Sequence, residues 1–430
     1  MFDPLQSLKA EIGRALSWLI FSKQASLSLA DQATVSISSF LLTAIIARTG
    51  GLDLLGNFSF IAILAVFGAT ISGSLINAPA MVLFASGKDD ESKYRGFLCV
   101  ASVVVGSTTA LFLLGIYAAY RYHSASTSPH ADYLVIALFF AVAPIAETLR
   151  RTAFARGRAL AGLRISLVRS IPPLIILYSV KAYRVEITYI VLLLAVSNLA
   201  AIALDVAIEW PKLPDWQFAS ARARRHWQSS RWLLLSAFFN SGYTDLFTFV
   251  TGFVFGDRPL AAIRISQQVM GIVVAGMLTF ENTLPREFAY LAQTKSQKAY
   301  WSILNWFAAL LFLILLLSCG LLWWFGNELI LFFFHVGYQN YSLLLLCWAL
   351  STACSGARSV YAVSFRATEN TRPIFVADAC SFFVAISVVF PLLHWLGPLG
   401  SGVGMIIANL TGFTALLLSI PRYSTQSPLP

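Results

Sequence analysis

PKLPDWQFASARARRHWQSSR, residues 211–231, is the longest hydrophilic stretch in a chain that is otherwise almost continuously apolar. Six apolar stretches precede it, at about 26–48, 56–86, 96–120, 133–149, 163–180 and 186–208. Six follow it, at about 232–255, 262–284, 301–325, 328–355, 374–396 and 400–421. Each is near the roughly 20 residues that carry a helix across a hydrocarbon core. The expected fold is therefore all-α: a polytopic membrane protein of about twelve transmembrane helices in two six-helix lobes around a central cavity. Even numbers of spans in each half make the halves parallel repeats, related by an axis along the membrane normal.

The cations give the sidedness. Lys and Arg gather in alternate gaps, at Lys88 to Arg95, Arg150 to Arg164, Lys212 to Arg231, Arg286 to Lys298 and Arg358 to Arg372, while the intervening gaps hold at most two each. Cytoplasmic loops carry such an excess, so both termini are predicted to be cytoplasmic. The division is then a 1–25 interfacial segment, an N-lobe over 26–210, a basic linker over 211–231, a C-lobe over 232–421 and a tail over 422–430. From Pro4 to Ile20, Leu5, Leu8, Ile12, Leu16 and Leu19 recur at helical spacing, as in a helix lying in the interface or packed on a cytoplasmic loop. No cleavable signal is read there. Trp210, Trp232, Trp301, Trp323, Trp324 and Trp395 fall near predicted ends, as interfacial aromatics do.

Composition agrees. Hydrophobic residues make up 58% and charged residues 12%, with a mean hydropathy of +0.73, whereas soluble domains carry about 25% charged residues. The net charge of +10 sits in loops that face anionic headgroups, so it argues for membrane lipids and against nucleic acid. Cys99, Cys319, Cys347, Cys354 and Cys380 all fall in apolar spans and read as small buried hydrophobes.

Internal similarity supports duplication. Ser197-Asn198-Leu199 and Ala408-Asn409-Leu410 occupy corresponding places in the sixth and twelfth spans, and Asn57-Phe58-Ser59 and Arg264-Ile265-Ser266 open the second span of each half. Phe40-Leu41-Leu42-Thr43, Ala47-Arg48, Gly51 and Gly56-Asn57-Phe58-Ser59 resemble the first helical hairpin of bacterial polysaccharide flippases, of the multidrug, oligosaccharidyl-lipid and polysaccharide exporter superfamily. Asp245, the Pro285-Arg286 pair and Gly397-Pro398-Leu399-Gly400-Ser401-Gly402 resemble further features of the same family. Ala262-Ile263-Arg264-Ile265 departs from the family's Gly-x-Tyr-like opening, and the chain is shorter than the superfamily's lipid II flippases. The resemblance implies a non-enzymatic flippase that moves a polyprenyl-pyrophosphate-linked oligosaccharide for surface polysaccharide synthesis. It also implies a polysaccharide polymerase as pathway partner.

Ionisable groups inside spans cost roughly 2.5–3.5 kcal/mol on insertion scales and mark functional candidates. Arg48, Arg169 and Arg264 are the candidate substrate-binding cations, suited to phosphate oxygens; Arg48 and Arg264 stand at the outer ends of the first and eighth spans, where contacts that close the lobes are the alternative use. Arg169 precedes Pro172-Pro173, which is expected to kink or break its helix; snorkelling to headgroups is the alternative use. Asp31, Asp245 and Asp378 are the candidate ion-coupling or cavity acids, with interhelical hydrogen bonding as the alternative for Asp378. Gln32, Ser36, Ser39 and Thr43 in the first span and Asn240, Thr244, Thr248 and Thr251 in the seventh form polar stripes, which read as cavity walls or helix packing. Glu147 and Glu281 lie beside Arg150 and Arg286, where salt bridging is expected. Pro79 and Pro144 mark bends.

No phosphate loop appears, and the histidines, His123, His130, His226, His335 and His394, have no ligand spacing, so neither cofactor nor metal is expected. A glycosyltransferase or ligase would call for a large outer loop or an acidic pair in the first outer loop, but the gap after the first span offers only Asp53 as an acid and the largest outer loop, Arg121 to Tyr133, has Asp132 alone. Multidrug transport on the same fold is the other alternative, with the three acids as its cation sites. The topology predicts that a cysteine introduced between Lys212 and Arg231 reacts with an impermeant thiol reagent only after the cells are opened; labelling of intact cells would refute it.

Overall fold

The computed structural model describes residues 23–80, 90–123, 132–180, 186–271, 296–335, 342–367 and 372–420, with 274, 288 and 291. Segment Pro4 to Ile20, Glu281, the Pro285-Arg286 pair, His130 and the 422–430 tail lie outside them. Among the described residues every regular element is helical: α1 Lys23–Ser72, α2 Glu91–His123, α3 Tyr133–Ala155, α4 Ala159–Ser179, α5 Ile187–Ile208, α6 Trp216–Phe255, α7 over 257–271, α8 Gln297–Phe334, α9 Ser342–Ala367, α10 Arg372–Leu396 and α11 Leu399–Leu418. Nine described segments are long and apolar enough to cross a membrane. One of them, Ser26–Ala80, holds the first two spans as two arms of α1 that turn at Gly51. Its φ of 70° and ψ of −167° suit glycine. The seventh span, in α6, is not among the nine, because Asn240, Thr244 and Asp245 dilute its apolar run.

Packing repeats between the halves. In the N-terminal half α2 packs on α3, α3 on α5, α1 on α4, and α4 on α5; in the C-terminal half α8 packs on α9, α9 on α11, α6 on α10, and α10 on α11. The halves share one core at the Gly51 end, where Phe40, Phe60 and Tyr120 meet Phe247, Ile330 and Phe334. Away from that end the C-terminal half has its own cluster around Trp301, Leu304, Ala353 and Leu416. Trp301, expected at an interface, is buried there against Phe365.

Three local expectations change. The ninth span runs on through Gly326 to Phe334, because that glycine admits close packing by Leu345. The break comes instead at His335, which adopts the left-handed conformation at φ 55°, and the tenth span starts at Ser342. The break expected in the helix of Arg169 does not occur: α4 continues through Pro172 and Pro173, although each proline leaves a carbonyl four residues back without its donor. Finally, residues 216–231 are not a separate linker element but the opening turns of α6.

Proline does disturb the second arm. A π-turn over Gly73–Asn77 precedes Pro79, whose missing N–H leaves the Leu75 carbonyl without its intrahelical donor. That carbonyl instead faces His226 Nδ1 and accepts from the Ser230 hydroxyl, both at 3.3 Å and both from α6. The Gly51 end is sealed by other means. Arg48 donates to the Phe332 and Phe333 carbonyls at 2.5 and 2.6 Å, Arg258 pairs with Asp53 at 3.0 Å, Tyr120 donates to Asp257 at 2.5 Å, and Gly56 lies against the Asp257 carbonyl with no room for a Cβ. Gly56→Ala is expected to lower the melting temperature of the purified protein by forcing this seam apart, whereas Gly73→Ala, with open space at its Cβ position, is expected to shift it far less.

Candidate functional site

A cavity of about 650 Å³ opens on the N-terminal side of the seam. Its apolar walls include Leu42, Phe58, Phe139 and Leu174; its polar groups are Ser38, Ser39, Thr70, Ser74, Ser170 and Asn198; its charges are Glu147, Arg151, Arg169 and Arg264. Three cations face one carboxylate. The first, second, fourth, fifth and sixth spans supply most of the lining, the eighth adds Arg264, and the polar stripe of α6 supplies none. Of the two predicted stripes only Ser39 lines the cavity; Thr43 and Thr251 turn their hydroxyls back onto the carbonyls of Ser39 and Phe247, as helix packing does.

Arg169 lies about 15 Å along α4 from its first residue and Arg264 about 10 Å along α7 from its own. Because the two helices start at opposite ends of the bundle, both side chains reach the middle. Arg169 donates to Glu147 at 2.9 Å. Glu147 also takes Arg150 at 2.7 Å and Arg151 at 2.8 Å, so one carboxylate holds three guanidinium groups. Arg264 donates to the Gln268 amide oxygen at 2.9 and 3.3 Å; that oxygen also accepts from the Ser39 hydroxyl at 3.1 Å, which ties the halves together. Asp245 on α6 interacts electrostatically with Arg264 but lies outside the lining.

The remaining predicted residues sit elsewhere. Arg48 is at the sealed Gly51 end, bonded to carbonyls of the opposite half. Asp31, 2% exposed, is paired with Arg150 and accepts from Ser166 at 2.5 Å. Asp378, 5% exposed, accepts from Arg358 at 2.5 Å and from Ser236 at 3.1 Å. Arg358 also donates to Tyr243 at 2.6 Å, and Gly412 leaves just enough room for its guanidinium.

These two clusters are versions of one device. Arg150 on α3 and Arg358 on α9 occupy corresponding places in the fourth helix of each half. Each binds a carboxylate that also accepts from a serine. In the N-terminal half the carboxylate comes from the first helix and the serine from the fifth; in the C-terminal half those roles are exchanged. The guanidinium requires a carboxylate in the helix triangle but not on a set helix. Sequence reading missed Arg150 and Arg358 as clamps because both lie within basic gaps; their matching positions in the repeat were the available signal.

No family model and no curated protein matches the chain. Solved structures do. It superposes on an inward-facing MATE family multidrug resistance transporter with a TM-score of 0.69 at 12% identity, over 93% of this chain and 94% of that one. The lipid II flippase MurJ in an inward closed conformation gives 0.68 at 16%, over 92% and 87%. The Vibrio cholerae MATE transporter VcmN gives 0.63 at 15%, over 92% and 97%.

Removing one partner of a buried ion pair costs about 3–5 kcal/mol. Asp31→Ser is accordingly expected to lower thermal stability sharply, and adding Ser166→Asp to recover much of it, measured as melting temperature in detergent. Together the repeated packing and these superpositions give the chain the fold of the multidrug, oligosaccharidyl-lipid and polysaccharide exporter superfamily.

Proposed function

We propose that the protein is a flippase for a polyprenyl-pyrophosphate-linked oligosaccharide, working by alternating access in a bacterial inner membrane with both termini cytoplasmic. The observation that carries this reading is that Arg169 from one half and Arg264 from the other enter a single cavity whose lining has more cations than acids. A pyrophosphate accepts charge-assisted hydrogen bonds from guanidinium groups. Bridging the two arginines would draw the halves together around the anion, and the apolar wall formed by Phe58, Phe139, Leu42 and Leu174 suits the start of a lipid tail. The oligosaccharide would occupy the side of the cavity that carries Ser38, Ser170 and Asn198. Surface polysaccharide synthesis then requires a polymerase to consume the delivered repeat unit.

Efflux of small cations is the competing reading, and the lie of the acids argues against it. Asp31 and Asp378 are committed to Arg150 and Arg358, and Asp245 stands beside Arg264. The role we assign to Asp31 and Asp378 is to clamp helices within their halves rather than to couple an ion. Enzymatic transfer is not part of the reading, since among the described residues no acidic pair faces the cavity.

In a strain lacking the gene, Arg169→Ala or Arg264→Ala is expected to reduce surface polysaccharide about tenfold or more, the scale of one lost hydrogen bond to a charged group. Protein abundance should be unchanged, and Lys at either position should restore part of the activity. Normal polysaccharide from both alanine variants, or loss of resistance to lipophilic cationic dyes instead, would reject the proposal.

A further inference from the structure

The opening turns of α6 lie across the N-terminus of α2 rather than beside it. The Lys212 amide donates to the Ser92 hydroxyl at 3.3 Å, the Lys212 carbonyl fills the space over Gly96, Asp215 is 3.6 Å from Lys93, and the Tyr94 hydroxyl is 2.7 Å from His226 Nε2. Asp215 and His226 are about 16 Å apart along α6, yet their partners are neighbours in α2. The whole segment therefore stays at the level where α2 begins, at the basic end of the bundle.

Its two faces differ. His226 and Ser230 are buried and bind the Leu75 carbonyl. Trp216 and Trp227, 84% and 57% exposed, project about 80–100° round the helix from His226. About three turns separate the pair, which puts both on one side of the helix, with Ser220 and Ala223 exposed between them. Arg224 is exposed about 60–80° further round, away from His226, Arg225 is exposed on the side opposite the pair, and Lys212, Leu213 and Trp210 are exposed on the approach. From 210 to 231 the one acid is Asp215, and it is engaged by Lys93. Tryptophan with exposed cations on a helix lying at the edge of a membrane bundle is the combination that settles in a headgroup layer.

We propose that residues 212–231 form a binding surface for anionic lipid headgroups, with Trp216 and Trp227 entering the acyl boundary and Lys212 and Arg224 taking lipid phosphates. Charge complementarity selects a lipid surface of negative sign. The surface is continuous with the cavity, because its buried face holds Leu75 within the π-turn whose Gly73 and Ser74 line that cavity. Lipid occupancy thus bears on the cavity wall through one carbonyl that Pro79 has freed.

The test uses the full protein in nanodiscs of phosphatidylcholine, alone or mixed with phosphatidylglycerol, with one lipid at a time brominated on its acyl chains. Tryptophan quenching is expected to fall in Trp216→Phe/Trp227→Phe. At equal mole fraction, brominated phosphatidylglycerol should quench the pair's share about twofold more than brominated phosphatidylcholine, and Lys212→Gln/Arg224→Gln should abolish that excess. Equal quenching of wild type and the tryptophan variant would place this face away from the lipid and overturn the proposal, leaving a protein partner as its occupant. Persistence of the excess in the Lys212→Gln/Arg224→Gln variant would overturn it as well. For the link to the cavity, amide exchange over 73–77 should slow in the anionic discs, and an unchanged rate would refute the coupling.

Discussion

A guanidinium held among apolar helices must find an anion or leave the membrane, and the placing of Arg150 and Arg358 follows from that requirement. Each lies on the fourth helix of its half and draws the first and fifth helices together through a carboxylate and hydroxyl groups. The halves become firm units because these clamps act within them. What lies between the halves is mixed: carbonyl caps from Arg48, the exposed Asp53–Arg258 pair, aromatic edges around Phe60, and the buried Asp257, which accepts from Tyr120 and lies 3.9 Å from Arg121. An exposed pair contributes about 0–1 kcal/mol, against several for a buried pair broken on one side. The clamps hold each half from within, and the seam at the Gly51 end is held by buried as well as exposed pairs.

The exchange of Asp and Ser between the two clamps shows how duplicated halves can diverge without losing the device. A carboxylate reaches an arginine from either of two helices in a triangle, so drift of the acid from one helix to the other keeps the charge satisfied. A consequence is that the position of the acid in one half does not mark its position in the other. The shared unit is a triangle of helices around a guanidinium, read from contacts and not from aligned letters.

Proline has a comparable effect on the backbone. At Pro79 the loss of one amide donor leaves Leu75 to be satisfied from the other half of the chain, through His226 and Ser230. At Pro172 and Pro173 the same chemistry leaves the helix intact, with Pro173 set into the cavity wall beside Arg169 and Ser170. Residue type specified the freed carbonyls in both cases. Whether a neighbour arrived to take them depended on which helix packed there.

Hydropathy and charge alone determined that the chain is an all-helical membrane bundle in two halves, because burial of apolar length and exclusion of unpaired cations are properties of composition along a line. They also singled out Arg48, Arg169, Arg264, Asp31, Asp245 and Asp378 as charges in costly places. Only the tertiary structure sorted these by partner: Arg169 and Arg264 into one cavity, Arg48 onto helix-end carbonyls, Asp31 and Asp378 into clamps, Asp245 beside Arg264. It also decided that α8 runs past Gly326 and that residues 216–231 join α6. The physical reason is that a charge's role depends on which opposite group lies within a few ångströms, and those groups come from helices far apart in the sequence.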